Sequence, residues 1–352
     1  IVRKKAPWVD VVLGTNNIGN LLNLIQYSDQ NGPITEITEK FSDSFINIES
    51  VHSSSTTGML TIQVGCDNNC TFCIVPSVRG GEKSRRPLEI FEDAVKLSQQ
   101  GYKEIMLLGQ NVNSYGRDLK INNKISPYFL ELLMMINEID EIKRIRFVSP
   151  HPKDVNGKLI DVIDANKKIC NHIHLPLQSG SDKILFDMKR GYTQKKYMSK
   201  VKLINDATND ISITSDVIVG FPGESEDDFS KTLEVVEDTG FDSMFMYKFS
   251  ARPGTIAETF VDKYISQEII DDRFNRLKDL QTSISNKRLS RFVGSHQDVL
   301  VEGPSKNNMN KSTGRSDNNN IVIINSLTQP GTIQKVLITK NTPFVLYGDL
   351  IT

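Results

Sequence analysis

From Gly58 to about Tyr247, short apolar runs alternate with longer amphipathic ones. The short runs are rich in β-branched residues and are bounded by polar or glycine positions, which marks strands. They predict strands at Met59–Val64, Glu104–Leu108, Arg144–Val148, Asn171–Leu175, Ile211–Val219 and Ser243–Tyr247. The longer runs carry apolar residues at helical spacing. Pro87–Gln100 presents Leu88, Phe91, Val95 and Leu97 and stops at Gly101; Tyr128–Glu138 and Tyr197–Asn205 are similar. Ser225–Thr239 opens on Ser-x-x-Asp, a capping box with a shorter acid, and ends at Gly240. Such alternation argues an α/β fold with a parallel sheet and crossover helices. Six units fall short of the eight of a closed barrel. The expected shape is an open, partial (βα)6 barrel, with its chemistry at the carboxyl ends of the strands.

Other patterns flank this core. Residues 1–38 hold a strand at Val9–Leu13 and a helix at Asn20–Tyr27, read as the remnant of an N-terminal αβ domain. Residues 39–57 are polar, with Ser53 to Thr57 in a row, and read as a linker. The core is assigned to 58–285. A long helix, Ser266 to about Phe292, leads into 286–352, where Val299–Val301, Ile321–Ile324, Thr332–Thr339 and Phe344–Leu350 read as short strands. That suffices for a small β-barrel, a shape often used for nucleic acid. The chain opens at Ile1 rather than Met, on residues that read like the inside of a domain, so further chain is expected upstream.

Composition changes this picture little. A length of 352 residues suits two or three domains, and 38% hydrophobic with 24% charged is ordinary for a globular chain. The net charge of −1 advertises no global basic field for RNA, and residues 294–352 carry five basic side chains against four acidic ones. No apolar run reaches the length of a membrane span, and no signal peptide is seen, so the expected place is the cytoplasm.

The four cysteines change it more. Three fall within eight positions, as Cys66, Cys70 and Cys73. A disulfide framework would spread them; a metal or cluster loop gathers them. Cys170, before a predicted strand, reads as a buried structural thiol. Three thiolates on one cubane leave one iron open, and an open metal position binds substrate. The alternative is structural zinc, which wants a fourth ligand. His52 is the nearest candidate, on the far side of the first strand.

Other residues at strand ends admit two readings each. Gly109, Gly180, Gly220 and Gly223 allow backbone to approach a cofactor, or simply make turns. Gln110, Asn111 and Asn113, and likewise Gln178 and Ser179, suit an adenosyl group or base edge, or act as capping groups. Arg79, Lys83, Arg85 and Arg86 meet phosphate or a cofactor carboxylate, or form a solvated loop. Asp216 binds a ribose hydroxyl or is a structural carboxylate. Tyr247, Phe249, Arg252 and Pro253 clamp a splayed base, or the aromatics are core.

Cys66-x3-Cys70-x2-Cys73, with Phe72 before the last thiol, resembles the radical S-adenosylmethionine superfamily. The runs Pro76–Pro87, Leu107–Gly116, Phe147–Pro152, His174–Ser181 and Asp216–Glu224 together resemble its methylthiotransferase family, over nearly the whole chain. The resemblance implies a 4Fe–4S cluster on Cys66, Cys70 and Cys73, whose open iron takes S-adenosyl-L-methionine and, given an electron, yields a 5′-deoxyadenosyl radical. It implies a radical-SAM barrel with a TRAM-like RNA-binding C-terminal barrel. Cofactor contacts are expected from Phe72, Gly109, Gln110, Asn111, Gln178, Ser179, Asp216 and Gly220. RNA contacts are expected from Arg79, Lys83, Arg85, Arg86, His151 and Arg252. No catalytic side chain is assigned.

The implied reaction adds a methylthio group to C2 of isopentenylated adenosine beside the anticodon. The implied partners are the tRNA anticodon loop, an electron donor such as a flavodoxin or ferredoxin, and a sulfur donor, with the enzyme a monomer. The family also carries a second cluster on three N-terminal cysteines. None precedes Cys66 here, so these residues are expected to hold one cluster and to lack the auxiliary one. Rival substrates within the family are threonylcarbamoyl-adenosine and a ribosomal-protein aspartate. The rival outside it is a non-catalytic RNA-binding protein with a structural metal.

Overall fold

The computed structural model describes residues 2–37, 56–120, 127–207 and 210–351. Residues 39–55 of the expected linker, with His52, lie outside the described residues. The N-terminal segment is a small βαβ unit: α1 (Val2–Lys5), β1 (Val11–Leu13), α2 (Leu21–Asn31) and β2 (Ile34–Glu36), with β1 and β2 paired in parallel.

The core follows as β3 (Thr57–Thr61), β4 (Gln63–Val64), α3 (Val75–Arg79), β5 (Lys83–Ser84), α4 (Pro87–Gln99), β6 (Glu104–Leu108), α5 (Phe129–Asn137) and β7 (Arg144–Phe147). Its second half is α6 (Gly157–Ala165), β8 (His172–His174), α7 (Asp182–Asp187), α8 (Gln194–Asn205), β9 (Ser212–Val219), α9 (Glu226–Thr239), β10 (Ser243–Lys248) and α10 (Gln267–Ser290). Two three-stranded parallel sheets result, β3-β6-β7 and β8-β9-β10. A single parallel bridge, Ile145 to Ile169, joins them.

All six expected strands are present, but the first is split. Ile62 leaves the β3 line and donates to Leu108, so 63–64 form a separate strand pairing antiparallel with β5. Thr57, read as linker, is already in β3. Strand faces buried under the helices carry the core, with Ile105, Leu107, Ile145, Ile173, Ile213 and Val217 inaccessible against residues such as Leu132, Tyr197 and Phe229. Burying such surface is worth about 25 cal/mol per Å². The Ser225–Asp228 capping box forms in both directions and Gly240 ends α9 in the left-handed region.

The C-terminal segment is a closed barrel of β11 (His296–Ser305), β12 (Asn308–Ser316), β13 (Ile321–Ile324), β14 (Ile333–Asn341) and β15 (Leu346–Leu350), ordered β11-β12-β13-β15-β14. The turn after β12 enters the amino ends of the core strands. Arg146 donates to the carbonyls of Ser316 and Asp317 at 2.6 and 2.9 Å, while its Nε meets Glu104 at 2.8 Å. Arg144 donates to the carbonyls of Arg315 and Asp298. Asn318 Nδ2 donates to the carbonyls of Asn171 and Asp210. Cys170 is buried beside this network, as expected of a structural thiol. No helix among the described residues is long and apolar enough to cross a membrane.

Candidate functional site

The three thiols sit in the loop between β4 and β5, whose pairing closes its neck. Gly65 opens the loop at φ +73°, where a Cβ would stand 2.0 Å from the Gly81 carbonyl oxygen. Only glycine fits, by both conformation and space. The loop is stitched to the end of α7. Thr71 donates its amide to Met188 O at 3.2 Å and its hydroxyl to Asp187 O at 2.8 Å, and its own carbonyl accepts from Ala257 N. Those bonds occupy carbonyls that a helix end leaves free. Phe72 packs into a satellite apolar cluster with Phe221, Phe249 and Phe260.

Around the sulfurs, Asn68 donates backbone and side-chain N–H to Cys66 Sγ at 3.4 and 3.3 Å. Arg190 Nη1 donates to Cys70 Sγ at 3.2 Å. Burial pushes the Cys66 and Cys73 thiols up, and the neighbouring Cys70 raises both further. Metal binding must displace their protons. Among the described residues no group of three His, Cys, Asp or Glu side chains is arranged to hold a single metal ion. A cluster takes one thiolate per iron, and the Cys66, Cys70 and Cys73 loop supplies three thiols.

His151 lies beside this loop, against the Tyr192 ring at 5.8 Å. Burial, with the Arg190 and Lys153 charges, drives its pKa down to about 2, so the ring is neutral. Its Nδ1 accepts from Lys153 N, and its buried Nε2 has no partner among the described residues. Gln178 is similar. It takes φ +66°, rare for a non-glycine residue, and its buried Oε1 has no partner among the described residues. Orphaned buried polar atoms and backbone strain at one strand-end region fit a bound polar group.

Several expected contacts are otherwise engaged. Asn111 is buried, donating to Asp154 at 3.0 Å and accepting from His151 N at 3.1 Å. Asn113 holds the backbone of His151 from both sides. Ser179 is buried against Thr232 and Ser181. Gly220 packs on α10, where a Cβ would stand 2.5 Å from Ile270 Cγ1. Arg85 is tied to Asp93 at 2.7 Å and to Thr61 O. For the first four the structural reading fits the geometry better than the ligand one, because their polar groups or space are already spent, whereas the buried Nε of Arg85 has no partner among the described residues. Lys83 is part-buried in β5, Arg79 ends α3 part-buried, and Gln110, Arg86 and Arg252 are exposed. Gly109 is part-buried, with Val112 Cγ1 3.1 Å from where a Cβ would be.

Asp216 lies on the sheet face away from the helices. Its Oδ2 is 3.3 Å from His174 Nε2, and register places Phe245 beside it. Phe245 and Tyr247, 60% and 51% exposed, share that face. Sequence reasoning did not single out Phe245, His174 or Arg190. For the first two the signal was strand alternation opposite the helix-covered positions. For Arg190 it was a cation between two turn residues, Lys189 at φ +54° and Gly191 at φ +73°.

A thiol loop at the carboxyl ends of parallel strands, with a closed barrel behind, has a match among family models. Residues 60–236 match the radical SAM superfamily and residues 290–351 match the TRAM domain. Among curated relatives, tRNA-2-methylthio-N(6)-dimethylallyladenosine synthase from Desulforamulus reducens is 40% identical over 99% of this chain and 76% of its own length. The synthase of the same name from Clostridium tetani is 42% identical over 98% of this chain and 76% of its own. That from Finegoldia magna is 38% identical over 100% and 75%. The chain belongs to this family of radical SAM tRNA methylthiotransferases, whose cofactors are a 4Fe–4S cluster and S-adenosyl-L-methionine.

Proposed function

We propose that the chain carries out the radical S-adenosylmethionine part of methylthio transfer to C2 of N6-dimethylallyladenosine in a tRNA anticodon loop. The observation that carries this is the three-thiol loop beside two orphaned buried polar atoms, on a chain related over nearly all its length to synthases of that name. When bound, the cluster and S-adenosyl-L-methionine supply a 5′-deoxyadenosyl radical.

The chain's own residues position and shield. Cys66, Cys70 and Cys73 hold the cluster, and Gly65 and Thr71 fix the loop. His151 Nε2 and the Gln178 amide offer hydrogen bonds to the cofactor or base, His151 as a neutral ring. Asp216, held by His174, accepts from a ribose hydroxyl. Phe245 and Tyr247 give a splayed base a stacking face, which single-stranded RNA permits. Gly109 and Gln110 border this space, and Arg79, Lys83, Arg86 and Arg252 contribute charge for phosphate at its rim.

We read the two three-stranded sheets as one open barrel spanning 58–285, with 1–38 a remnant αβ unit and 286–352 the RNA-holding barrel. Tyrosine and arginine on the rim suit an anticodon loop, while the electron and sulfur donors, a monomeric state and the cytoplasm remain the expectation. Beyond the loop the only cysteine is Cys170, so these residues provide one cluster site.

The test is anaerobic reconstitution with iron and sulfide, an iron count and a cleavage assay, against a Cys66/Cys70/Cys73→Ala triple variant. About four irons per chain, with 5′-deoxyadenosine formed only when the thiols are present, supports the reading. Bound zinc with no cleavage overturns it. Nucleoside mass analysis of a deletion strain then separates dimethylallyl-adenosine from threonylcarbamoyl-adenosine as the base modified.

A further inference from the structure

We infer that Arg190 is the built-in counter-charge of the cluster, a positioning residue that raises its reduction potential and so eases the electron's entry. The inference rests on the cluster reading above. It deepens that reading by assigning a role to a side chain outside the ligand set.

Arg190 is 6% exposed. A guanidinium is never neutral in a protein, and a buried unpaired charge is costly. Among the other buried arginines, Arg146 pairs with Glu104 and Arg273 with Glu224, and Arg144 donates to the carbonyls of Arg315 and Asp298. Arg190 has neither a carboxylate nor a carbonyl partner among the described residues. The groups that hold it charged against its burial are Tyr192 and Cys70. It donates Nε to Tyr192 Oη at 3.2 Å and Nη1 to Cys70 Sγ at 3.2 Å. Its charge is also felt at Cys73 and at the neutral His151 ring. The negative partner this buried cation lacks is what three iron-bound thiolates would bring.

The surroundings fix it there. Tyr192 is held in turn by the carbonyls of Pro176 and Leu177, at 2.9 and 3.0 Å. The backbone on either side is left-handed, at Lys189 and Gly191, and such strain in a lysine persists only where the surroundings over-determine it. Thr71 binds the same turn, so cysteine loop and arginine move as one piece. A fixed cation beside the thiolates stabilises the form carrying the extra electron, and a hydrogen bond to the sulfur draws charge off the iron. Both raise the potential.

The test is an EPR-monitored potentiometric titration of the reconstituted chain at matched iron content. At the wild-type midpoint, Arg190→Gln lowers the reduced-to-oxidised ratio at least tenfold, about 59 mV for a one-electron couple. Arg190→Lys keeps the charge and lowers it less than tenfold. A Gln variant with a full cluster and a smaller fall overturns the inference, as does a Lys variant that falls tenfold or more. Where only the Gln variant loses its cluster, the Lys variant decides by the same limit. Loss in both overturns the inference in favour of an assembly role. A wild-type chain that takes up no cluster refutes the underlying reading instead.

Discussion

Arg146→Met tests how the C-terminal barrel is fixed to the core. Arg146 and Glu104 are 2% and 1% exposed, and their side chains meet at 2.8 Å. The same guanidinium supplies the bonds to the Ser316 and Asp317 carbonyls. Removing it leaves Glu104 buried and charged, with Thr57 Oγ1 as a donor at 3.2 Å. Breaking one partner of a buried pair costs about 3–5 kcal/mol. The two abandoned carbonyls keep the value toward the upper end, since bonds from a charged donor are worth about 1.5–3 kcal/mol each. Glu104→Leu combined with Arg146→Met removes both charges and should recover part of the loss. A coupling of at least ~2 kcal/mol is expected, within the range for residues sharing a network. The assay is urea unfolding followed by circular dichroism for wild type, both single variants and the double. A loss under ~1 kcal/mol for Arg146→Met, or strictly additive effects, would refute the reasoning.

Two further outcomes concern the site and its frame. Gly65→Ala places a Cβ 2.0 Å from the Gly81 oxygen at φ +73°, so the loop must deform at a strain of about 1–3 kcal/mol or more. Iron uptake after reconstitution should fall by more than about half with the helix signal unchanged, and full uptake would contradict this. Asp228 has burial working to raise its pKa, but Lys183 and the Ser181 and Ser225 hydroxyls hold it below the usual carboxylate range. A carboxyl depressed in the folded state contributes stability above its unfolded pKa, about 3.9, and loses it as pH falls further. Urea midpoints should therefore drop below about pH 4, and less steeply in Asp228→Asn; equal slopes in both proteins would exclude the effect.

The cysteine loop was legible because ligand spacing is a covalent requirement that no packing detail can replace. The core strands were legible because buried parallel strands read as unbroken apolar runs. What escaped had weaker signals. β12 is Asn308–Ser316, and its inward positions are Ser312, Gly314 and Ser316, small and polar because Leu300 O would lie 2.3 Å from a Cβ at Gly314. Nothing in its hydropathy marks it as a strand. The nine residues of α6 were missed too, though Asn156 caps them. At the site, the amides of Asn111 and the hydroxyl of Ser179 looked like ligand groups, since strand-end polar residues serve backbone and cofactor with the same chemistry. Only geometry separates the two uses, and it also brought forward Arg190, whose partner is 120 residues away in sequence.

The inserted turn after β12 sets a distance as well as a contact. It enters at the amino ends of the core strands, while the thiols stand at the carboxyl ends. A five-residue strand such as β6 is about 16 Å long. The anchor of the C-terminal barrel thus lies about a strand's length from the cysteine loop, and under the proposed function a tRNA held by both would have to span that length.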